Sequence, residues 1–506
     1  MTDIILATIN ARYHHASLGL RYLKANLAEL EDRCELMEFT LEVRAADIAE
    51  QLLSVSPLIV GLGVYIWNVE ESHALAAVIK KVAPLTKIVL GGPEVGFVND
   101  LPDVAQYADY IIAGQADFAF RDLCRSLLDD DAPPEKFIQA VNPKLQELRL
   151  PYDLYTDEDL RNRLIYVEAS RGCPFKCEFC ISSLDRTAWN FDLDRFLIAL
   201  DSLYDRGLRN FKFVDRTFNL KLSTTRRILE YFLEKEDPSL FLHFELIPDR
   251  LPDALREYLL RFREGMLQFE IGVQTFNFDV QNLISRQQDD QKTIENMGWI
   301  TSNTQAHVHA DLIFGLPGED LASFGRGFNK LHSLGPHEIQ LGILKRLRGT
   351  PIIRHEKAYQ LCFDPLPPYS ILSTSLVDFA TTQRIQRFAR YWDLIANSGR
   401  FGTTLKLLPT ETLFESFLNL SDWLYEHSGK THRISLTRLF ELLLLALVAL
   451  GYREKAVTES LLKDFENSGH KGRLSFSPKT GRQRSGILPS GHNKRQTRHQ
   501  IANQTA

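Results

Sequence analysis

Through the first 135 residues, short unbroken apolar runs take turns with helix-length segments whose apolar positions recur at helical spacing. Ile4 to Ile9 reads as a buried strand, Leu18 to Leu30 as a helix, and Cys34 to Phe39 as a second strand. Ala45 to Leu53 is helical, Leu58 to Val64 extended, Ser72 to Val82 helical and Lys87 to Leu90 extended. Gly91-Gly92-Pro93 turns sharply, and Tyr110 to Ala113 gives a last strand before a helix from Phe118 to Leu128. Strands that are apolar at every position, not at alternate ones, are covered on both faces, as in a parallel sheet. The βαβα order predicts a Rossmann-like, doubly wound parallel sheet over residues 1–135.

A Pro- and Asp-rich stretch from Asp129 to Asp159 places a linker at 136–163. A second βα series then occupies 164–362, with strands at Leu164 to Ala169, Phe211 to Val214, Leu240 to Leu246, Leu267 to Val273, His307 to Phe314 and Glu338 to Leu344. These strands, separated by helix-length segments, predict a partial (β/α)6 barrel of the TIM type. Residues 363–465 enter through Pro365, Pro367 and Pro368 and form a mostly helical domain, in which Leu413, Phe417 and Leu420 have the spacing of a core face. Residues 466–506 read as a disordered basic tail. The fold class is α/β with a helical C-terminal domain.

Alternation along the barrel strands selects which side chains point inward. In Phe269 to Gln274 the apolar positions face the outer helices, which turns Glu270, Gly272 and Gln274 toward the interior. By the same count His307, His309 and Asp311 share one face, as do His243 and Glu245. Polar groups inside a barrel are costly unless they pair with one another or serve a ligand.

Composition adds bounds. The chain has 506 residues and a formal net charge of −6, which makes no global case for nucleic-acid or membrane binding. All residues after Glu466 are free of acidic groups while eight Lys/Arg lie between Lys471 and Arg498, so weak binding of RNA or an anionic partner by the tail is a minor alternative to a solvated tail. The apolar run from Leu439 to Leu450 is broken by Glu441 and too short to span a bilayer. The opening MTDIILATIN has no basic region or cleavage site of a signal peptide, and a cytoplasmic location is expected.

Chemistry enters at Cys173-Pro174-Phe175-Lys176-Cys177-Glu178-Phe179-Cys180, which holds half of the six cysteines. The C-x3-C-x2-C spacing suits three thiolates around one [4Fe–4S] cluster, leaving one iron without a protein ligand. Zinc needs four ligands, and a zinc centre completed by a distant residue is the alternative. The motif resembles that of the radical S-adenosylmethionine (SAM) enzymes, including the aromatic residue, here Phe179, before the last cysteine. That resemblance implies that Cys173, Cys177 and Cys180 hold the cluster, that SAM binds its open iron, and that electron transfer yields a 5′-deoxyadenosyl radical. It also implies a reductase, flavodoxin or ferredoxin as electron donor.

Gly272-Val273-Gln274-Thr275-Phe276-Asn277, Arg286-Gln287 and Asp311-Leu312-Ile313-Phe314-Gly315-Leu316-Pro317-Gly318 are similar to the oxygen-independent coproporphyrinogen dehydrogenases. The resemblance makes Gln274, Arg286, Asp311 and Glu245 candidates for SAM contacts, with Asp215 a further one near the methionine amine. A Rossmann-like domain ahead of such a barrel resembles the cobalamin-binding class, which includes methyltransferases and the anaerobic Mg-protoporphyrin ester cyclase. Gly91 and Gly92 then become candidate cobalamin contacts. The family's axial-histidine motif is not matched: Asn10-Ala11-Arg12-Tyr13-His14-His15 lacks the Asp and the histidine spacing. A cofactor-free Rossmann domain that shapes a substrate pocket is the alternative. Methylthiotransferases are set aside, because Cys34 and Cys124 do not make a second cluster motif.

The expected activity is radical SAM chemistry on a small-molecule substrate, with cobalamin-dependent methyl transfer or oxidative cyclisation. A cobalamin-free oxidoreductase, or a non-catalytic iron–sulfur protein, is the rival reading.

Overall fold

All positions of β1 (Ile4–Asn10) are buried, and so are those of β3 (Ile59–Gly63) and β5 (Tyr110–Ala113) in the computed structural model, which describes residues 2–470, 472–477 and 495–499. With β2 (Cys34–Thr40), β4 (Lys87–Gly91) and β6 (Phe137–Gln139) they form a six-stranded parallel sheet in the order β2-β1-β3-β4-β5-β6. Side chains alternate between two apolar layers. Ile5, Ala7 and Ile9 pack with one set of helices, and Ile4 and Leu6 with the other. Because β1 lies between β2 and β3, the chain reverses direction of winding there, and a crevice opens at the strands' carboxyl ends.

The sheet runs past the expected boundary at residue 135. Its sixth strand has three half-buried or exposed residues, too few for a periodic signal. The stretch expected to be a linker is also packed. Buried Arg21 pairs with Glu38 and Asp159, both at 2.9 Å, and Arg163 reaches Glu38 at 2.8 Å, so residues 157–163 are tied to the first domain.

The second sheet contains β7 (Ile165–Val167), β10 (Asn210–Phe213), β11 (Phe241–Leu246), β12 (Leu267–Gln274), β13 (His307–Phe314) and β14 (Glu338–Ile343). They pair in parallel and in chain order, with β7 and β14 as unpaired edges: an open, partial barrel. A short antiparallel ribbon, β8 (Ser170–Arg171) with β9 (Trp189–Asn190), brackets the cysteine loop just beyond β7. In β12 buried and half-buried positions alternate strictly, so one face packs on helices and the other lines the barrel interior. The outer face is aromatic: Phe213, Phe244 and Phe269 are fully buried and in ring contact, and each such side chain contributes about 2 kcal/mol by leaving water.

The same core continues into the C-terminal helices. Phe328 of the barrel meets Phe388 and Trp392 of the helix Phe379–Ile395, and Phe417 packs against both. Leu413, Phe417 and Leu420 are buried, as their spacing predicted. The last long helix runs Glu454–Asn467, beyond the expected boundary at 465. Residues 495–499 are helical and docked, with Arg495 on Glu338 at 3.1 Å and on Asp393 at 2.8 Å, which corrects the expectation of a wholly disordered tail. The rest of that expectation, like the weak anion binding assigned to the tail, falls mostly outside the described residues. Among the described residues no helix is long and apolar enough to cross a membrane.

Candidate functional site

The cysteine loop is fixed by its backbone. Gly172 has φ +89°, and a Cβ there would lie 2.8 Å from the Ala188 nitrogen, so only glycine allows the chain to enter the loop at this point. The Cys173 N–H donates to the Asp185 carbonyl at 2.7 Å. The Ser183 hydroxyl donates to the carbonyls of Cys177 and Cys180 at 2.9 and 2.7 Å. Glu178 points the opposite way from its neighbours, into the protein. There it accepts from the Ser285 hydroxyl at 2.5 Å, from Arg354, and pairs with His355 at 2.9 Å. The cysteines are thereby left facing the barrel mouth.

Cys173, Cys177 and Cys180 line one cavity of about 230 Å³ with Phe179, Arg216, Glu245, Glu270, Gln274, Arg286 and Asp311. All three thiols are free. Among the described residues no group of three His, Cys, Asp or Glu converges on a single-ion position, and the thiols instead surround a shared space. Burial pushes the thiols of Cys173 and Cys177 up. Against this, Arg286 stands with Nη1 at 3.6 Å from the Cys177 sulfur and favours its thiolate. The donor set, three soft sulfurs beside cations, fits an iron–sulfur cluster.

The strand ends around this cavity carry the predicted polar residues. Gln274 sits in the left-handed region at φ +71°, beside a register shift between Gly272 and Gln274, a conformation rare for a residue with a side chain. Arg286 is held by the Gly272 carbonyl and by Gln288. Glu245 accepts from Arg216 at 2.7 Å, yet burial holds its carboxyl above the usual range. Burial also raises Asp311 against the opposing pull of His309. His309 Nε2 and Asp311 Oδ1 are 3.4 Å apart, and both are buried without an aligned hydrogen bond, which leaves polar atoms for a ligand. Burial works to raise Glu270, but His243 at 3.1 Å and Lys212 at 3.7 Å outweigh it and bring the carboxyl to about 2.

Asp215 is not part of this group. Its carboxylate turns back to accept from the Ala169 N–H at 3.0 Å and the Ser170 hydroxyl at 2.5 Å, where burial pushes it up to about 7. The next side chain, Arg216, lines the cavity instead. The turn Gly349-Thr350-Pro351 lies against Phe97 of the first domain.

A second cavity of about 660 Å³ opens at the carboxyl ends of β1, β3, β4 and β5. Gly61, Gly63, Gly91, Gly92 and Gly114 line it, with Tyr166, Glu168 and Arg171 of the barrel closing the far side. Gly92 has φ +104°, and a Cβ there would come within 2.5 Å of the Val64 carbonyl. A Cβ on Gly61 would meet Leu6 at 2.8 Å. The glycines leave bare backbone along the wall of a broad, mostly apolar cavity, roomy enough for a large ligand. His15 lines the cavity and bonds through Nδ1 to the Tyr166 hydroxyl at 2.7 Å. His14 is not on its wall. Sequence reasoning missed two parts of this wall. One is Trp67, which stacks on Tyr65 with ring centres 4.5 Å apart, just after β3. The other is Gly114-Gln115-Ala116-Asp117, whose signal was a glycine between a strand and a helix start.

Two parallel sheets, each with a cavity at its carboxyl edge and one edge bearing three cysteines, define a two-cofactor α/β protein. Family comparisons agree. Residues 4–124 match the B12 binding domain, 167–328 the radical SAM superfamily, and 357–485 a family of unknown function, DUF4080. The chain thus carries a radical SAM domain behind an N-terminal B12 binding domain, and the cofactor set these domains imply is a [4Fe–4S] cluster, SAM and cobalamin.

An uncharacterised methyltransferase of Pyrococcus horikoshii is 27% identical over 40% of this chain and 49% of its own length. The cobalamin-dependent radical SAM methyltransferase TokK of Streptomyces tokunonensis is 25% identical over 62% of this chain and 50% of its own. The chain therefore spans about half the length of these curated relatives. The cobalamin-dependent SAM radical enzyme OxsB, solved with aqua-cobalamin, is similar in fold, with a TM-score of 0.62 over 92% of this chain and 80% of that one at 14% identity.

Proposed function

We propose that this protein is a cobalamin-dependent radical SAM methyltransferase acting on a small molecule, with electrons delivered by a flavodoxin- or ferredoxin-type donor. The observation that carries the reading is the juxtaposition of the two cavities. The two are bounded by neighbouring segments beyond the barrel strands' ends: Glu168 and Arg171 line the glycine-walled cavity and Cys173, two residues on, lines the other. Tyr166 and Val214 face the wide cavity, while Arg216 faces the cysteines.

In this reading Cys173, Cys177 and Cys180 hold the cluster. Arg286 and Arg216 supply positive charge toward the SAM carboxylate, while Glu245 accepts from its ammonium and Asp311 and Gln274 take the ribose hydroxyls. Phe179 packs against the apolar cluster that holds Val280, Leu316 and Leu344. Gly91 and Gly92 let the backbone approach the cobalamin. When bound, these cofactors supply a radical and a methyl group. The protein's own task is to orient them, keep water out and present the substrate between them.

Anaerobically reconstituted protein, given SAM and a strong reductant, is expected to release 5′-deoxyadenosine and to retain about four irons with one cobalamin. Methylated product from a candidate substrate supports the reading, and an unmethylated cyclised or oxidised product replaces it. Iron without 5′-deoxyadenosine would make the protein an electron carrier.

A further inference from the structure

The wall of the wide cavity reaches directly into the loop that carries the cysteines. The turn Gly114-Gln115-Ala116-Asp117 lines that cavity. From it, the Gln115 amide nitrogen donates to Asp185 Oδ2 at 2.7 Å. Asp185 is also the residue whose backbone carbonyl accepts the Cys173 N–H at 2.7 Å. Its other carboxylate oxygen is occupied by the Thr187 N–H and hydroxyl, at 3.0 and 2.7 Å. One residue therefore takes the first domain on its side chain and the first cysteine on its backbone.

A second strut runs alongside. Arg171 stands two positions before Cys173 and lines the wide cavity. Its Nη1 donates to Asp117 at 2.9 Å and to the Gln115 oxygen at 3.2 Å, and its Nε to Glu168 at 2.8 Å. The guanidinium lies over the Tyr22 ring at 4.4 Å. Both polar ends of Gln115 are thus committed, one to each strut. Gln115, Asp185 and Arg171 are half-buried, and a member of this network that shifts alone leaves its partners' hydrogen bonds unmade. Other ion pairs between the two domains, such as Arg348 with Glu94 and Asp100, bond to no residue of the cysteine loop.

We propose that Gln115 and Arg171 are positioning residues that couple the two cofactor sites: a ligand filling the wide cavity fixes the Gly114–Asp117 turn, and through Asp185 tightens the cysteine loop on its cluster. This rests on the cofactor assignment given above. Coupling of this kind is reciprocal, so a loaded cluster also raises cobalamin affinity by the same factor.

The test uses the full chain, reconstituted without oxygen, with hydroxocobalamin as the probe. Loss of iron to a chelator is followed with and without saturating cobalamin, together with the electron paramagnetic resonance spectrum of the reduced cluster. Cobalamin is expected to slow iron loss about tenfold, within the range usual for coupled sites, and to shift the spectrum. In Gln115→Ala, at equal cobalamin occupancy and equal initial iron, the slowing falls below about twofold and the spectral shift disappears. Cobalamin affinity, compared between cluster-loaded and cluster-free protein, differs about tenfold in the parent chain and not in the variant. Should Gln115→Ala fail to load a cluster, Asp185→Asn makes the same comparison, since it keeps the carbonyl on Cys173 and sets two amide donors against each other. Cobalamin that binds without altering iron loss or the spectrum overturns the coupling and leaves the cofactor assignment standing, and so does a variant that keeps the full response. A chain that binds no cobalamin overturns the assignment of the wide cavity and the coupling with it.

Discussion

The two parallel sheets solve the same problem with opposite materials. At the carboxyl edge of the first, five glycines strip side chains away and leave a wide, mostly apolar cradle. At the edge of the second, side chains extend inward: three thiols, two guanidiniums, four carboxyls and three amides crowd a cavity about a third the size. Bare backbone admits a large ligand and holds it by shape. Converging charges hold small charged groups and orient them. Which strategy an edge uses is set by a handful of positions, while the sheets behind them are built alike.

The sharpest way to separate the two edges is Cys177→Ala. Iron is expected to fall from about four per chain to below one, with cobalamin binding retained in weakened form. Chemical iron analysis alongside cobalamin absorbance checks this, and normal iron would remove the loop as the cluster site. The converse lesion is Gly92→Ala. A side chain at φ +104° costs about 1–2 kcal/mol, and its Cβ forces the turn away from Val64. Cobalamin affinity should drop about 10- to 100-fold with iron loading unchanged, which equilibrium dialysis measures.

A smaller effect is expected inside the polar cavity. Asp311→Ala or Gln274→Ala should keep the iron and weaken SAM binding about tenfold or more, the usual result of losing a hydrogen bond to a charged or buried partner. Asp215→Asn, whose side chain faces away, should leave SAM affinity within about twofold. Calorimetric titration with SAM distinguishes them.

An effect on stability and not on binding concerns Glu319, which follows the Gly315–Gly318 turn. It accepts from Thr275 at 2.8 Å and from Ser323 at 3.3 Å, and burial raises its carboxyl to about 7. An acid with a raised folded value binds more protons folded than unfolded, so ionisation costs stability as pH rises from about 4.5 to 7 and the cost is constant above that. Glu319→Gln should therefore stabilise the protein by about 2 kcal/mol at pH 8 and scarcely at pH 4, as thermal melts at the two pH values would show.

Much of this was legible in the chain. The helix Ala45–Leu53 and the strands Tyr110–Ala113 and His307–Phe314 have the bounds their apolar patterns predicted. Local periodicity reports burial directly when an element is long and covered by one neighbour. It failed at β6, three residues long, and in 157–163, where the packing comes from ion pairs with distant Arg21 and Glu38. In the site, alternation put Glu245, Glu270, Gln274 and Asp311 on the inner face, and the structure brings them to one cavity. Asp215 was a candidate through the resemblance alone, and its carboxylate is taken up by the Ala169 N–H and the Ser170 hydroxyl, contacts that no local pattern reports.

By itself the sequence determined the order of elements, the two parallel sheets and the cysteine loop, because these depend on apolar periodicity and on residue types a few positions apart. Only the tertiary structure decided that the glycine turns share one cavity with Tyr166 and Arg171, that Arg216 and not Asp215 faces the cysteines, and that Gln115 reaches Asp185 across 70 residues. Those contacts join segments far apart in the chain, and only packed side chains and backbone hydrogen bonds bring such segments within reach of one another.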